Sequence, residues 1–162
     1  VNGWGVPPVG FGRSGVHGNF YMRGAIQSMR GIVANDAEEA MYMARDKDQN
    51  GDSITSKHTY ELHFPPGQTP PARYFWSLTV YDQDANLMLN DYDRYAISGN
   101  SEDLIYEDDG SLRILIGGKP PEGMVGNWLP AGESFTRVTL RVYGPKKAMI
   151  ERTWKPPQLK RL

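Results

Sequence analysis

Three stretches of this sequence alternate their side chains with a period of two, the pattern of half-buried β-strands rather than helices. In Tyr74–Asp82 (YFWSLTVYD), Trp76, Leu78 and Val80 fall on one face, and Phe75, Ser77, Thr79 and Tyr81 on the other. In Lys57–Phe64 (KHTYELHF), His58, Tyr60, Leu62 and Phe64 oppose Lys57, Thr59, Glu61 and His63. In Phe135–Tyr143 (FTRVTLRVY), Val138, Leu140 and Val142 share the inward side. A slip of one residue would turn such a row to the wrong face, so the pattern also says which side meets the core.

Shorter strands are expected at Ala40–Arg45, Arg94–Ser98, Leu104–Tyr106 and Leu112–Ile116. Glycine (18 residues) and proline (12 residues) sit between these runs as turn punctuation. Asn35–Glu39 reads as a turn, and Asp108-Asp109-Gly110-Ser111 as a hairpin turn. One segment departs from the β pattern. From Asn19 to Val33, Phe20, Met22, Ile26, Met29 and Val33 recur at roughly helical spacing, with Asn19 as the N-cap. Residues 1–18 are dense in Gly and Pro and read as an irregular lead-in or linker, leaving 19–162 as a single domain. The tail Trp154-Lys155-Pro156-Pro157 is expected to pack as an extended arm. The expected fold is all-β, a two-sheet antiparallel jelly-roll-like sandwich with one N-terminal helix.

Composition removes several chemistries. With no cysteine among 162 residues there is no disulfide, thiolate nucleophile, zinc–thiolate site or iron–sulfur cluster. Eighteen basic and nineteen acidic residues give a net charge of -1, so no nucleic-acid partner is expected. No apolar run approaches the ~20 residues that span a bilayer, and no basic–apolar signal segment is present. The first residue is Val1, so the chain is expected to be trimmed, with any targeting segment removed and the compartment left open.

Four groups of residues are candidates for chemistry. Asp46-Lys47-Asp48-Gln49-Asn50-Gly51-Asp52 resembles the first half of a calcium loop, with Asp46, Asp48 and Asn50 as oxygen ligands. Lys57 stands where such a loop needs a bidentate Glu, so the competing reading is a turn with Asn50-Gly51 at its apex. Beyond that calcium no cofactor is expected. His63, on the polar face beside Glu61, is the best single candidate for a general base, because histidine titrates near neutrality. The carboxylates Asp82, Asp84, Asp91 and Asp93 could hold Mg²⁺ or split acid and base roles, or simply make turns. Finally, Tyr60, Trp76, Tyr81, Arg94, Tyr95, Asn127, Trp128, Arg141 and Tyr143 combine aromatic faces with polar forks that suit a sugar or amphipathic ligand. The competing reading puts the rings in the core and uses Asn127 and Arg141 to satisfy buried backbone. Ser77 lacks a nucleophile elbow, and Gly10-Phe-Gly12-Arg-Ser-Gly15 has dinucleotide-loop spacing without a preceding strand.

A set of ordered motifs carries a family resemblance: NDAEEAMY (35–42), DQNGDSI (48–54), YELHF (60–64), PPARYFWSLTVYD (70–82), NDYDRYAI (90–97), DDGSLRILI (108–116), GNWLPAG (126–132), FTRVTLRVYGP (135–145) and TWKPP (153–157). In that order they are similar to the jelly-roll-like domain of unknown function 1214, over about residues 19 to 162. The resemblance implies a bacterial-type protein whose domain follows a partner, domain of unknown function 1254. It implies a fold and not a reaction. Three functions follow as expectations. The foremost is a domain that binds a carbohydrate-like or amphipathic small molecule. The second is a hydrolase or lyase that uses His63 with carboxylates or a metal. The third is a structural or assembly domain completed by an upstream partner domain or a homo-oligomer.

Overall fold

The computed structural model of the chain describes residues 1–6, 18–30 and 35–162, with only the backbone at 29 and 30. The Gly10–Gly15 motif, His17 and Val33 lie outside the described residues. Among these residues eight strands form two four-stranded sheets. The first contains, side by side, β1 (Ala40–Arg45), β7 (Arg137–Pro145), β3 (Ala72–Tyr81) and β4 (Ala96–Ser98), all antiparallel. The second contains β6 (Trp128–Leu129), β5 (Leu112–Ile116), β2 (Tyr60–Phe64) and β8 (Lys160–Arg161). There β5 and β6 run parallel and the other pairs antiparallel.

The alternation read from the sequence sets the register. In the first sheet Val142 lies between Met41 and Trp76, and Leu140 between Met43 and Leu78, which in turn pairs with Ile97. In the second, Tyr60, Leu62 and Phe64 pair with Ile116, Ile114 and Leu112. All of these side chains are buried and belong to one hydrophobic cluster, so both sheets share a core. Rings join them: Phe64 of β2 lies 5.9 Å from Trp76 of β3.

Several expectations change. The second sheet is mixed rather than antiparallel, and the strand expected at Arg94–Ser98 forms only over Ala96–Ser98. Leu104–Tyr106 is not a strand. Its ladder groups are taken by a side chain, because Ile105 N–H donates to Asn127 Oδ1 at 2.8 Å and Asn127 Nδ2 donates to the Ile105 carbonyl at 2.6 Å. Two elements carried no pattern long enough to read, the two-residue strands β6 and β8. The helix α1 (Phe20–Arg30) forms with its expected cap, Met22 N–H donating to Asn19 Oδ1 at 3.0 Å, yet none of its described side chains is buried. A single helical turn, α2 (Lys147–Ile150), follows β7.

The two ends of the chain are packed together. Trp4 lies in the core cluster, and its Nε1 donates to the Pro157 carbonyl at 2.8 Å. Gly5 bridges to Ala44 on the outer edge of β1. The C-terminal arm ends as an edge strand of the second sheet, where Leu159 is fully buried and β8 pairs with β2. Arg45, on the inward side of β1, is only 4% exposed. Its guanidinium donates to the carbonyls of Asn2, Lys47 and Asp48, which replaces the lost hydration. Gly3 passes directly over that group at φ +80°, and a Cβ there would lie 2.9 Å from Arg45 Cζ. Replacing Trp4 by Ala should therefore cost about 3–5 kcal/mol in chemical denaturation, as for other buried tryptophans. Leu89→Ala, on an exposed loop, should stay within about 0.5 kcal/mol.

Candidate functional site

Eight of the nine aromatic and polar residues singled out in the sequence separate into three environments, and the ninth, Tyr95, is half-buried in the loop before β4. Tyr60, Trp76 and Trp128 are core residues. Tyr60 packs its ring 6.1 Å from Phe135 and accepts a hydrogen bond from Thr55 N–H at 2.9 Å. Trp128 Nε1 donates to the Gly117 carbonyl at 2.8 Å, the partner a buried indole requires. A molecule outside the fold does not reach these three.

Arg94 and Asn127 brace irregular backbone. Asn127 is buried, and its side chain bonds Ile105 twice and the Arg113 carbonyl at 2.9 Å. Arg94 donates to Asp103 Oδ2 at 2.9 Å and to the Gly126 carbonyl, joining the loop before β4 to the loops before and after β5.

Tyr81, Arg141 and Tyr143 come together on the outer face of the first sheet. The register places Arg141 opposite Tyr42 on β1 and Ser77 on β3, and Tyr143 opposite Phe75. Arg141 Nη1 donates to Thr79 Oγ1 at 3.1 Å and Nη2 to the Tyr81 hydroxyl at 2.5 Å. Its Cζ lies 5.3 Å from the Tyr81 ring centroid and 5.7 Å from that of Tyr42, within cation–π range. Phe75 and Tyr143 stack at 4.5 Å, and Tyr42 meets Tyr143 edge-on at 6.3 Å. The result is a half-buried aromatic platform around a guanidinium held by its own neighbours. Tyr42 and Phe75 were absent from the sequence candidates, although the same alternation that buries Met41, Met43 and Trp76 turns both outward.

His63 stands on the outer face of the second sheet. It lines an open cleft of about 340 Å³ with Asn2, Phe64, Pro65, Gln68, Lys155, Pro156 and Pro157. Among the described residues no carboxylate lines this cleft. The nearby Asp109 carboxyl is held below its ordinary range first by the hydroxyl and amide of Ser111, with a further contribution from His63.

The acidic segments act as turns. Asp48 is 2% exposed, and its Oδ1 accepts from the amides of Asn50 at 2.8 Å and Asp52 at 3.1 Å. Its Oδ2 faces the Arg161 guanidinium at 3.5 Å, so an internal cation stands where a calcium ion would be sought. Asp82 Oδ1 likewise accepts from Asp84 N–H at 2.9 Å and Asn86 N–H at 2.8 Å. Among the described residues no group of three or more His, Asp or Glu side chains is arranged to hold a metal ion. No helix among them is long and apolar enough to cross a membrane.

This is a β-rich domain of two sheets around one core. The model of the family described as "Protein of unknown function (DUF1214)" matches residues 39–147, and the chain belongs to that family. No curated protein matches it. The crystal structure of the VPA0106 protein from Vibrio parahaemolyticus is similar, with a TM-score of 0.72 and 24% identity. The match covers 89% of this chain and 35% of that one, so this chain spans about a third of its length. The crystal structure of an uncharacterized protein from Burkholderia cenocepacia is also similar, at 18% identity and a TM-score of 0.47, covering 80% of this chain and 31% of that one.

Burial and the adjoining Tyr143 hydroxyl push the Tyr42 phenol above its ordinary value of 10.0. The folded state therefore holds this proton more tightly than the unfolded state, and that contribution to stability is complete below the ordinary tyrosine range. It is lost as pH rises through the higher folded value. Stability measured by denaturation should fall as pH rises beyond about 10, and Tyr42→Phe should flatten that fall.

Proposed function

We propose that this domain recognises a small carbohydrate-like or amphipathic molecule on the outer face of its first sheet, centred on Arg141. The observation that carries this reading is the prior fixing of the guanidinium. Thr79 and Tyr81 hold it in place and the Tyr42 and Tyr81 rings flank it, so little side-chain freedom is lost when a ligand arrives. Phe75, Tyr143 and Tyr42 supply ring faces for the apolar side of a sugar or a ring system. Arg141 supplies a fork of donors for hydroxyl or carboxylate oxygens. The packing of both sheets on one core is compatible with the jelly-roll-like sandwich we propose for the fold.

Hydrolysis at His63 is the second reading. The open cleft favours it, and it predicts a turnover that His63→Ala abolishes. The carboxylate that interacts with His63, Asp109, is not among the residues lining the cleft and is engaged by Ser111, so the platform is the better-supported site.

A thermal-shift panel of sugars, nucleotides and fatty acids tests the proposal. A ligand at ~100 times its dissociation constant should add about 2.7 kcal/mol of stability. Binding should withstand EDTA. Arg141→Ala should weaken it by about tenfold or more, with Arg141→Lys a poor rescue, because an ammonium cannot reproduce the planar fork. A flat panel, or a ligand whose affinity ignores Arg141→Ala, would overturn the reading.

A further inference from the structure

Several arginines of this chain are matched by carboxylates. Arg94 pairs with Asp103, Arg113 with Glu61 and Glu107, and Arg161 with Asp48 and Asp52. The first sheet is different. Its strands β1, β3, β4 and β7 contain four arginines and no Asp or Glu. One of them, Arg45, faces inward and is taken up by carbonyls. Arg137 and Arg141 stand half-buried on the outer face, because the alternation that buries Val138, Leu140 and Val142 turns both outward. Among the described residues neither has a carboxylate partner.

Tyr81 brings the two cations to one place. It lies opposite Arg137 in the register, where facing side chains start about 5 Å apart. Its hydroxyl also accepts from Arg141 Nη2. Thr79 and Tyr81 engage one N–H each of the Arg141 guanidinium, so most of its donors remain uncommitted. Those donors reach the surface. Among the described residues the buried side-chain atoms left without a partner are Asp48 Oδ2 and Arg94 Nε, and none belongs to Arg141.

Two half-buried cations without an internal counter-charge raise the positive potential over the platform. An anionic ligand supplies that counter-charge, whereas a neutral one leaves it unmet. A carboxylate meets a guanidinium in plane through two parallel hydrogen bonds. The stacked Phe75 and Tyr143 rings beside Arg141 offer apolar surface for the body that carries it. Resting on the reading of the Arg141 platform as a recognition surface, we propose that its ligand is a carboxylic acid, gripped by Arg141 with its charge shared by Arg137. A sugar acid and a fatty acid present this same group on different bodies.

Calorimetric titration of the whole chain with matched pairs tests the charge of the ligand and its body together. The pairs are digalacturonate against its methyl ester, and octanoate against octanamide. In one pair the acid should bind about tenfold tighter or more than its neutral twin, and that pair names the body. Raising the salt should weaken the acid and spare the twin, because screening acts on charge. Arg137→Gln should weaken the acid about threefold or more. Circular dichroism and melting should stay as in the wild type, since Arg137 has no carboxylate partner to lose. If acid and twin bind equally and both need Arg141, the platform reading stands and the carboxylate is overturned. Galactose 1-phosphate binding tighter than both acids would also overturn the carboxylate, in favour of a phosphate. An acid preference untouched by Arg137→Gln would overturn the part assigned to Arg137. If no probe binds, or binding ignores Arg141→Ala, the platform reading fails and the carboxylate with it.

Discussion

Strand β7 lies between β1 and β3, and its register with both decides what stands on each side of the first sheet. Pairing Val142 with Trp76 and Leu140 with Leu78 buries one row of side chains. The same pairing sets Arg141 beside Ser77 and Tyr143 beside Phe75 on the opposite face. Core and platform are thus two consequences of one register. A slip of one residue would expose the aliphatic row and bury Arg141 without its partners, a large cost on both counts. The guanidinium platform is held in place by the same burial that holds the sheet together.

The irregular backbone is organised differently. Regular strands satisfy their own polar groups, but the loops around β4, β5 and β6 do not. A few polar side chains do so instead. Buried Asn127 replaces a missing ladder at Ile105, and Arg94 holds three loops together. At the other edge, buried Arg45 collects carbonyls from Asn2, Lys47 and Asp48, and so secures the N-terminal segment to the turn after β1. Burial lowers the Arg45 pKa, while Asp48 and Asp46 oppose that shift. Each of these residues resembles a site residue in the sequence, being polar among aromatics. In the fold each one serves the backbone, because a buried carbonyl or amide without a partner is costly.

The sequence by itself determined the strands long enough to show a period. Ala40–Arg45 and Leu112–Ile116 form as read, and the inward rows of β2, β3 and β7 are the ones the alternation named. The N-cap of α1 and the turn at Asn35–Glu39 were equally legible, because they depend on neighbours in the chain, whereas Asp108–Ser111 is a turn but not the hairpin expected, since Leu104–Tyr106 forms no strand to pair with β5. The family was legible too, through the order of its motifs. Only the tertiary structure could decide which aromatic and polar residues meet. A tryptophan reads the same in a core or on a platform. Trp76 and Arg141 carry the same promise in a one-dimensional list, yet the register sends the first inward and the second outward. Partners far apart in sequence settled the rest: Trp4 with Pro157, Asp48 with Arg161 and Asn127 with Ile105. Such pairs leave no local pattern, because what selects them is the need to satisfy groups that only the folded chain buries.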